Sequence, residues 1–119
     1  MAQKLIERLT GTVQTTDATL AAGVVTYTPP DNSAAIAHTL ITARRPSNGD
    51  SAGYRIITTF KKHSGTAAFI AETVVAQEND VNWGAGTSIT SGTFAVNCLG
   101  IAGATIEWLV ETEILVYQP

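Results

Sequence analysis

The sequence predicts an all-β fold: an antiparallel β-sandwich of about eight strands, jelly-roll or a related Greek-key arrangement, with a short N-terminal arm. Three observations carry this expectation. The run from Thr105 to Tyr117 alternates, with Ile106, Trp108, Val110, Ile114 and Val116 on one side and Glu107, Glu111 and Glu113 on the other. A period of two sends successive side chains to opposite faces, so this is a strand with one buried and one wetted face. Turn-forming clusters cut the rest of the chain into short runs at spacings near the roughly 8–12 residues typical of sandwiches and barrels. No long segment carries a persuasive helical period.

The elements follow in order. Residues 1–9 form an arm, and residues 10–119 a single β-sandwich domain. Leu5, Ile6 and Leu9 have helical spacing, but a helix this short is marginal in water. An extended arm is therefore favoured over a docked turn of helix. Strand-like runs then cover Gly11 to Thr16 and Thr19 to Tyr27, the second closed by the breaker cluster Pro29-Pro30-Asp31-Asn32-Ser33. Ala35 to Arg45 stops at Pro46-Ser-Asn-Gly-Asp-Ser51. Tyr54 to Lys62 puts Tyr54, Ile56, Thr58 and Phe60 on one face and Arg55, Thr59 and Lys61 on the other. His63-Ser-Gly65 is a hairpin turn into Thr66 to Gln77. Glu78-Asn-Asp80 leads into Val81 to Ile89, Ser91-Gly92 into Thr93 to Leu99, and Gly100 to Gly103 into the final strand.

Composition narrows the function classes. A chain of 119 residues is one domain by length. Its charged fraction is 14%, against roughly 25% for soluble domains. Low charge with much Thr and Val suits sheet surfaces, and it equally suits a surface partly covered by partners. The net charge of −3 supplies no excess of cations for phosphate, which argues against nucleic-acid binding. No run approaches a membrane span or a secretory h-region, so no membrane partner is expected. Cys98 is the single cysteine. It shares a register with Phe94 and Val96, reads as a small buried hydrophobe, and leaves no intramolecular disulfide possible.

Chemistry-bearing patterns are scarce. His38 and His63 have no ligand at metal-binding spacing, so no metal site is expected. A Gly-x-Ser-x-Gly elbow and a phosphate loop are both missing from the sequence. Glu107, Glu111 and Glu113 have separations that overlap those of catalytic carboxylates. They read better as the wet face of a strand, solvated or paired across strands with Arg55 or Lys61. No catalytic residue, cofactor or metal is therefore assigned. Trp108 is the expected core anchor. Trp83 and Tyr54 are each either core or an exposed platform for a sugar, with core favoured for Trp83 because few other large side chains can fill the sandwich.

An ordered set of segments points to a family. These are Gly11-Thr-Val-Gln-Thr-Thr-Asp-Ala-Thr19, Pro30-Asp-Asn-Ser33, Thr42-Ala-Arg-Arg45, Ala52-Gly-Tyr54 with Thr59-Phe-Lys61, Val81-Asn-Trp83, and Gly100-Ile-Ala-Gly-Ala-Thr-Ile-Glu-Trp-Leu-Val-Glu111. Together they resemble the small β-sandwich structural proteins of tailed bacteriophages, which occur as virion components or as modules of fibre-like proteins. In that family a TTDAT start, an ARR strand end, a GY…FKR-like strand and a GxAGxTIxW finish recur; here the third reads Phe60-Lys61-Lys62, a mild departure. The resemblance covers nearly all of the chain after the arm and brings no catalytic or cofactor residues.

It implies a virion structural protein made in the host bacterial cytoplasm. The favoured role is a capsid decoration (cement) protein on the outer head surface that bridges subunits of the major capsid protein. A homotrimer is the favoured self-assembly, matching local three-fold positions, with a dimer next. Leu5, Ile6 and Leu9 are the expected partner-binding residues, and loss of residues 1–9 is expected to weaken attachment more than it lowers the melting temperature. The alternative role is a carbohydrate- or receptor-binding module of a head or tail fibre. That role would use exposed Trp83 and Tyr54 and a polar patch near Asn79, Asp80 and Asn82.

Overall fold

Residues 3–119, described by a computed structural model, form eight strands: β1 (Gln3–Thr15), β2 (Leu20–Tyr27), β3 (Ser33–Arg44), β4 (Ser51–His63), β5 (Thr66–Glu78), β6 (Gly84–Thr90), β7 (Thr93–Leu99) and β8 (Ile106–Gln118). The described residues contain no helix. A larger antiparallel sheet has the order β1-β8-β3-β4-β5, and a smaller one the order β2-β7-β6. The chain is thus an all-β sandwich, as its alternation indicates. Hairpins join β3 to β4 and β4 to β5, and β8 returns, after β6 and β7 in the other sheet, to lie beside β3. The spatial order β8-β3-β4-β5 is that of a Greek key.

Two hairpins are set by their turn residues. His63 pairs with Thr66 and Thr90 with Thr93, leaving Ser64-Gly65 and Ser91-Gly92 as the loops. Both residues of each loop are left-handed, with φ of 49° and 80° in the first and 50° and 80° in the second. Such loops carry a twist that matches the flanking strands, and glycine takes the conformation without steric penalty.

The core lies between the sheets and is built by strict alternation. Every second residue of β3 and β8 is buried and the intervening residues are exposed. At one end Phe60 of the larger sheet stacks on Phe94 of the smaller, with ring centroids 4.9 Å apart. At the other end Trp108 contacts both Tyr54 and Trp83, each at 6.1 Å between centroids. Among the polar groups that enter this interior, a threonine pair and the Trp108 indole are hydrogen-bonded, whereas the buried Trp83 Nε1–H has no partner among the described residues. Thr39 and Thr112 meet at 2.9 Å, and the Trp108 Nε1–H donates to Thr15 Oγ1 at 2.9 Å. A buried polar group costs little when its hydrogen bond is made and a good deal when it is not.

Two boundaries differ from the sequence expectation. The arm boundary at residue 9 falls inside β1, which pairs with β8 from Gln3↔Gln118 to Thr15↔Ile106 without a register shift. Residues 1 and 2 of that arm lie outside the described residues. A short isolated helix has little to stabilise it, whereas the edge of β8 supplies a continuous ladder, so the long-range partner decides the conformation. Val81 to Trp83 is a turn rather than the start of a strand, and β6 begins at Gly84. Asp80 Oδ1 accepts the Asn82 N–H at 2.9 Å, an Asx turn that takes this backbone away from a ladder.

Candidate functional site

The groups with the most chemical potential are placed where they do little. Cys98 is fully buried, and burial pushes its thiol up to about 12, so the reactive thiolate is scarce at neutral pH. Among the described residues no three His, Cys, Asp or Glu side chains converge to hold a metal ion. Glu107, Glu111 and Glu113 are all exposed on the outward side of β8. Glu113 pairs with Arg8 of β1 at 3.0 Å. The neighbours of β8 are β1 and β3, so Arg55 and Lys61 on β4 lie one strand beyond the cross-strand partners of these glutamates.

The two aromatic candidates are core residues. Trp83 is 3% exposed and Tyr54 4%, and both pack against Trp108. The Tyr54 hydroxyl donates to the Glu78 carboxylate, and burial first, then that contact, raises its pKa. Neither ring offers a face to a sugar. The polar residues nearby are occupied with the turn: Asp80 Oδ1 accepts from Asn82, and Asn79 Oδ1 accepts the Ser51 N–H at 2.9 Å. The stacking platform considered from sequence is therefore not formed.

Leu5, Ile6 and Leu9 are not brought together on one face. In β1 the side chains alternate, so Leu5 and Leu9 take the inward register and Ile6 the outward one. Leu9 is half-buried against the core, Leu5 is 40% exposed at the end of the sandwich, and Ile6 is 55% exposed on the outer sheet face.

What the structure does present is apolar surface on the larger sheet, in two connected places. The first is its outer face, away from the smaller sheet. There the outward residues of β1, β8, β3, β4 and β5 form rows across the strands. Ile36, Leu40, Leu109, Leu115 and Tyr117 are exposed on this face among scattered charges. The second is the free margin formed by β5. Phe69, Ile70, Val74 and Val75 are exposed there, and a register irregularity opposite Thr59 and Phe60 breaks the ladder at Ile70. Between Thr66 and Gln77 the only charged residue is Glu72, whose carboxylate accepts from the Thr87 N–H of β6 at 2.8 Å. Natural edge strands are usually protected by charge, proline or a covering element, and that part of β5 has almost none of these.

Sequence reasoning passed over this margin. The signal was present: the run Thr66 to Gln77 is apolar in both registers, Phe69, Ala71 and Val75 in one and Ile70, Val74 and Ala76 in the other. A run of that kind signals a strand covered on both faces. Here both faces are open instead.

The chain matches no family model and no curated protein. Among solved structures it is similar to a tailspike protein of Acinetobacter baumannii bacteriophage Fri1, a capsular polysaccharide depolymerase, with TM-score 0.45 and 16% identity over 96% of this chain and 17% of that one. It is also similar to the tailspike protein of Acinetobacter phage vB_ApiP_P1, with TM-score 0.33 and 14% identity over 98% of this chain and 22% of that one. The chain thus spans only about a fifth of either tailspike, 17% and 22%. Likeness at this level carries no argument about role.

Proposed function

We propose that this chain is a structural, non-catalytic component of a bacteriophage virion, and within that class a capsid decoration protein. It would sit on the outer head surface and bridge neighbouring major capsid subunits. The observation that carries the reading is the bare apolar margin of β5, an edge with both faces open and almost no charge to keep partners away. The ordered sequence segments shared with phage β-sandwich proteins supply the setting. A surface of this kind is built to be covered. Several modest contacts per bridging copy are enough to hold a shell together, because each bound contact raises the effective concentration of the next.

The test is a binding assay on heads prepared without this protein. Added pure protein is expected to saturate them, and cryo-EM should show it on the outer surface at repeated capsomer junctions. Ile70→Asp, at an exposed site in the β5 margin, is expected to lower occupancy at least about tenfold while the free protein stays folded. Heads that take up no wild-type protein, or that fill equally with Ile70→Asp, would sink the reading. Removal of residues 1–9 is a poor substitute, since residues 3–9 belong to β1 and their loss leaves residues 112–118 of β8 without their β1 partners.

A further inference from the structure

We propose that a second copy of this chain packs face to face on the outer side of the larger sheet, the copies being related by a twofold axis that runs along β3 through Leu40. Such an axis places the β4 side of one copy over the β8 side of the other. The residues on either side of β3 are complementary under that operation. Leu40 is flanked on its row by Arg55 of β4 and Glu111 of β8. The rotation therefore sets Arg55 over the partner's Glu111, and Glu111 over the partner's Arg55. Among the described residues neither has an ion-pair partner within its own chain. A reciprocal pair of opposite charges is what an isologous interface requires.

Shape agrees with charge one row further along. There Thr42 is flanked by Gly53 of β4 and Leu109 of β8. Gly53 lies on an open depression of about 510 Å³ that runs across the strands from Val75 past Arg55 and Leu40 to the chain's own Leu109 and Glu111. The same twofold that pairs the charges lowers the partner's Leu109 into it, and Leu109 is 46% exposed in the free chain. The fold itself does not call for glycine at this position. A Cβ added to Gly53 would meet nothing nearer than the Ile41 carbonyl oxygen at 3.9 Å, and Gly53 is not among the residues with left-handed φ. Space above the sheet, rather than backbone geometry, is what its missing side chain provides.

The face is large enough. Strands about 4.8 Å apart and roughly 12 residues long give on the order of 900 Å² in projection. A stable interface buries about 800 Å² per partner. Aligned sheets cross at about 30°, so the rows nearest the crossing point at Leu40 stay in register while those at the strand ends diverge. Leu40, Arg55 and Glu111 lie on the row through that point, and Gly53 and Leu109 on the next row with the same facing, where the register holds.

The test uses the free, full-length protein and is independent of any virion role. Sedimentation across micromolar concentrations is expected to give twice the chain mass of 12.5 kDa. Arg55→Glu or Glu111→Arg alone puts like charges into both contacts and is expected to weaken the dimer at least about tenfold. The two together restore opposite charges and should return the dissociation constant to within about threefold of wild type. Gly53→Leu should abolish the dimer while leaving the circular dichroism spectrum and the melting of the monomer unchanged. A monomer at all concentrations, a trimer, a dimer indifferent to these changes, or failure of the double reversal to rescue would each overturn the proposal.

Discussion

The two faces of the larger sheet are made by the same strands and differ only in which alternate residues they use. Its inner rows are aliphatic, aromatic and threonine side chains, close-packed and without a charge between Ile106 and Val116 on β8. The outer rows mix leucine and isoleucine with arginine, glutamate and histidine. The inner face has one solution, set by packing. On the outer face no packing within the chain dictates the apolar residues, and exposed Leu40 and Leu109 contribute nothing to the monomer's core. Chemistry that the fold does not use is where function is to be sought.

That contrast is sharpest on neighbouring residues. Trp108→Ala removes a buried indole and its hydrogen bond to Thr15, and is expected to cost about 3–5 kcal/mol by denaturant unfolding. Leu109→Ala, one residue along but on the other face, should stay within about 0.5 kcal/mol when measured on the monomer. Comparable losses at the two positions would break the distinction between faces.

Next in size is the hydroxyl pair on the inner face. Thr39→Val alone strands the Thr112 hydroxyl in the core and is expected to cost about 1–3 kcal/mol, whereas Thr39→Val with Thr112→Val should recover most of that loss. A double mutant as unstable as the single would show that the pair is not coupled. Alkaline titration probes the same interior. Cys98 is raised by burial from an ordinary 9.0 to about 12, so the unfolded chain gives up the thiol proton first. Stability from this group is therefore complete below about pH 9 and declines as pH rises toward about 12. Tyr54 and Tyr27, both raised chiefly by burial, act in the same direction. Cys98→Ala should flatten the decline measured by thermal melts in that range; an unchanged slope would assign it to the tyrosines. The smallest effect belongs to the outer face: Glu113→Gln, which breaks the exposed pair with Arg8, should cost less than about 1 kcal/mol and less still in high salt.

Much of the inner face was legible before any coordinates. Trp108, Phe60 and Cys98 sit on the buried registers that alternation assigns them, and the Ser-Gly turns fall between the strands they divide. Residues 3–9 were harder, since Leu5, Ile6 and Leu9 mimic a helical stripe and only the ladder with β8 makes them strand. Register is also why the row of Arg55, Leu40 and Glu111 was legible only in part. Alternation suggests a direct pairing of the glutamates with Arg55, whereas Leu40 of β3 lies between Arg55 and Glu111. A slip of one residue would send a side chain to the opposite face. The β5 margin was readable as an apolar run, but nothing local says which side of such a run stays bare.

β8 lies between β1 and β3, yet it is the last strand of the domain to be synthesised. Until residues 106–118 leave the ribosome, β1 has no neighbour in the sheet and the hairpins of β3, β4 and β5 lack their inner border. Closure must then join segments about a hundred residues apart, the kind of contact that makes β-sandwiches slow to fold. During that wait β5 is already made, with its apolar flanks open. A nascent chain is accordingly most prone to stick to others before β8 emerges, and a holdase that covers β5 during that interval should raise the soluble yield.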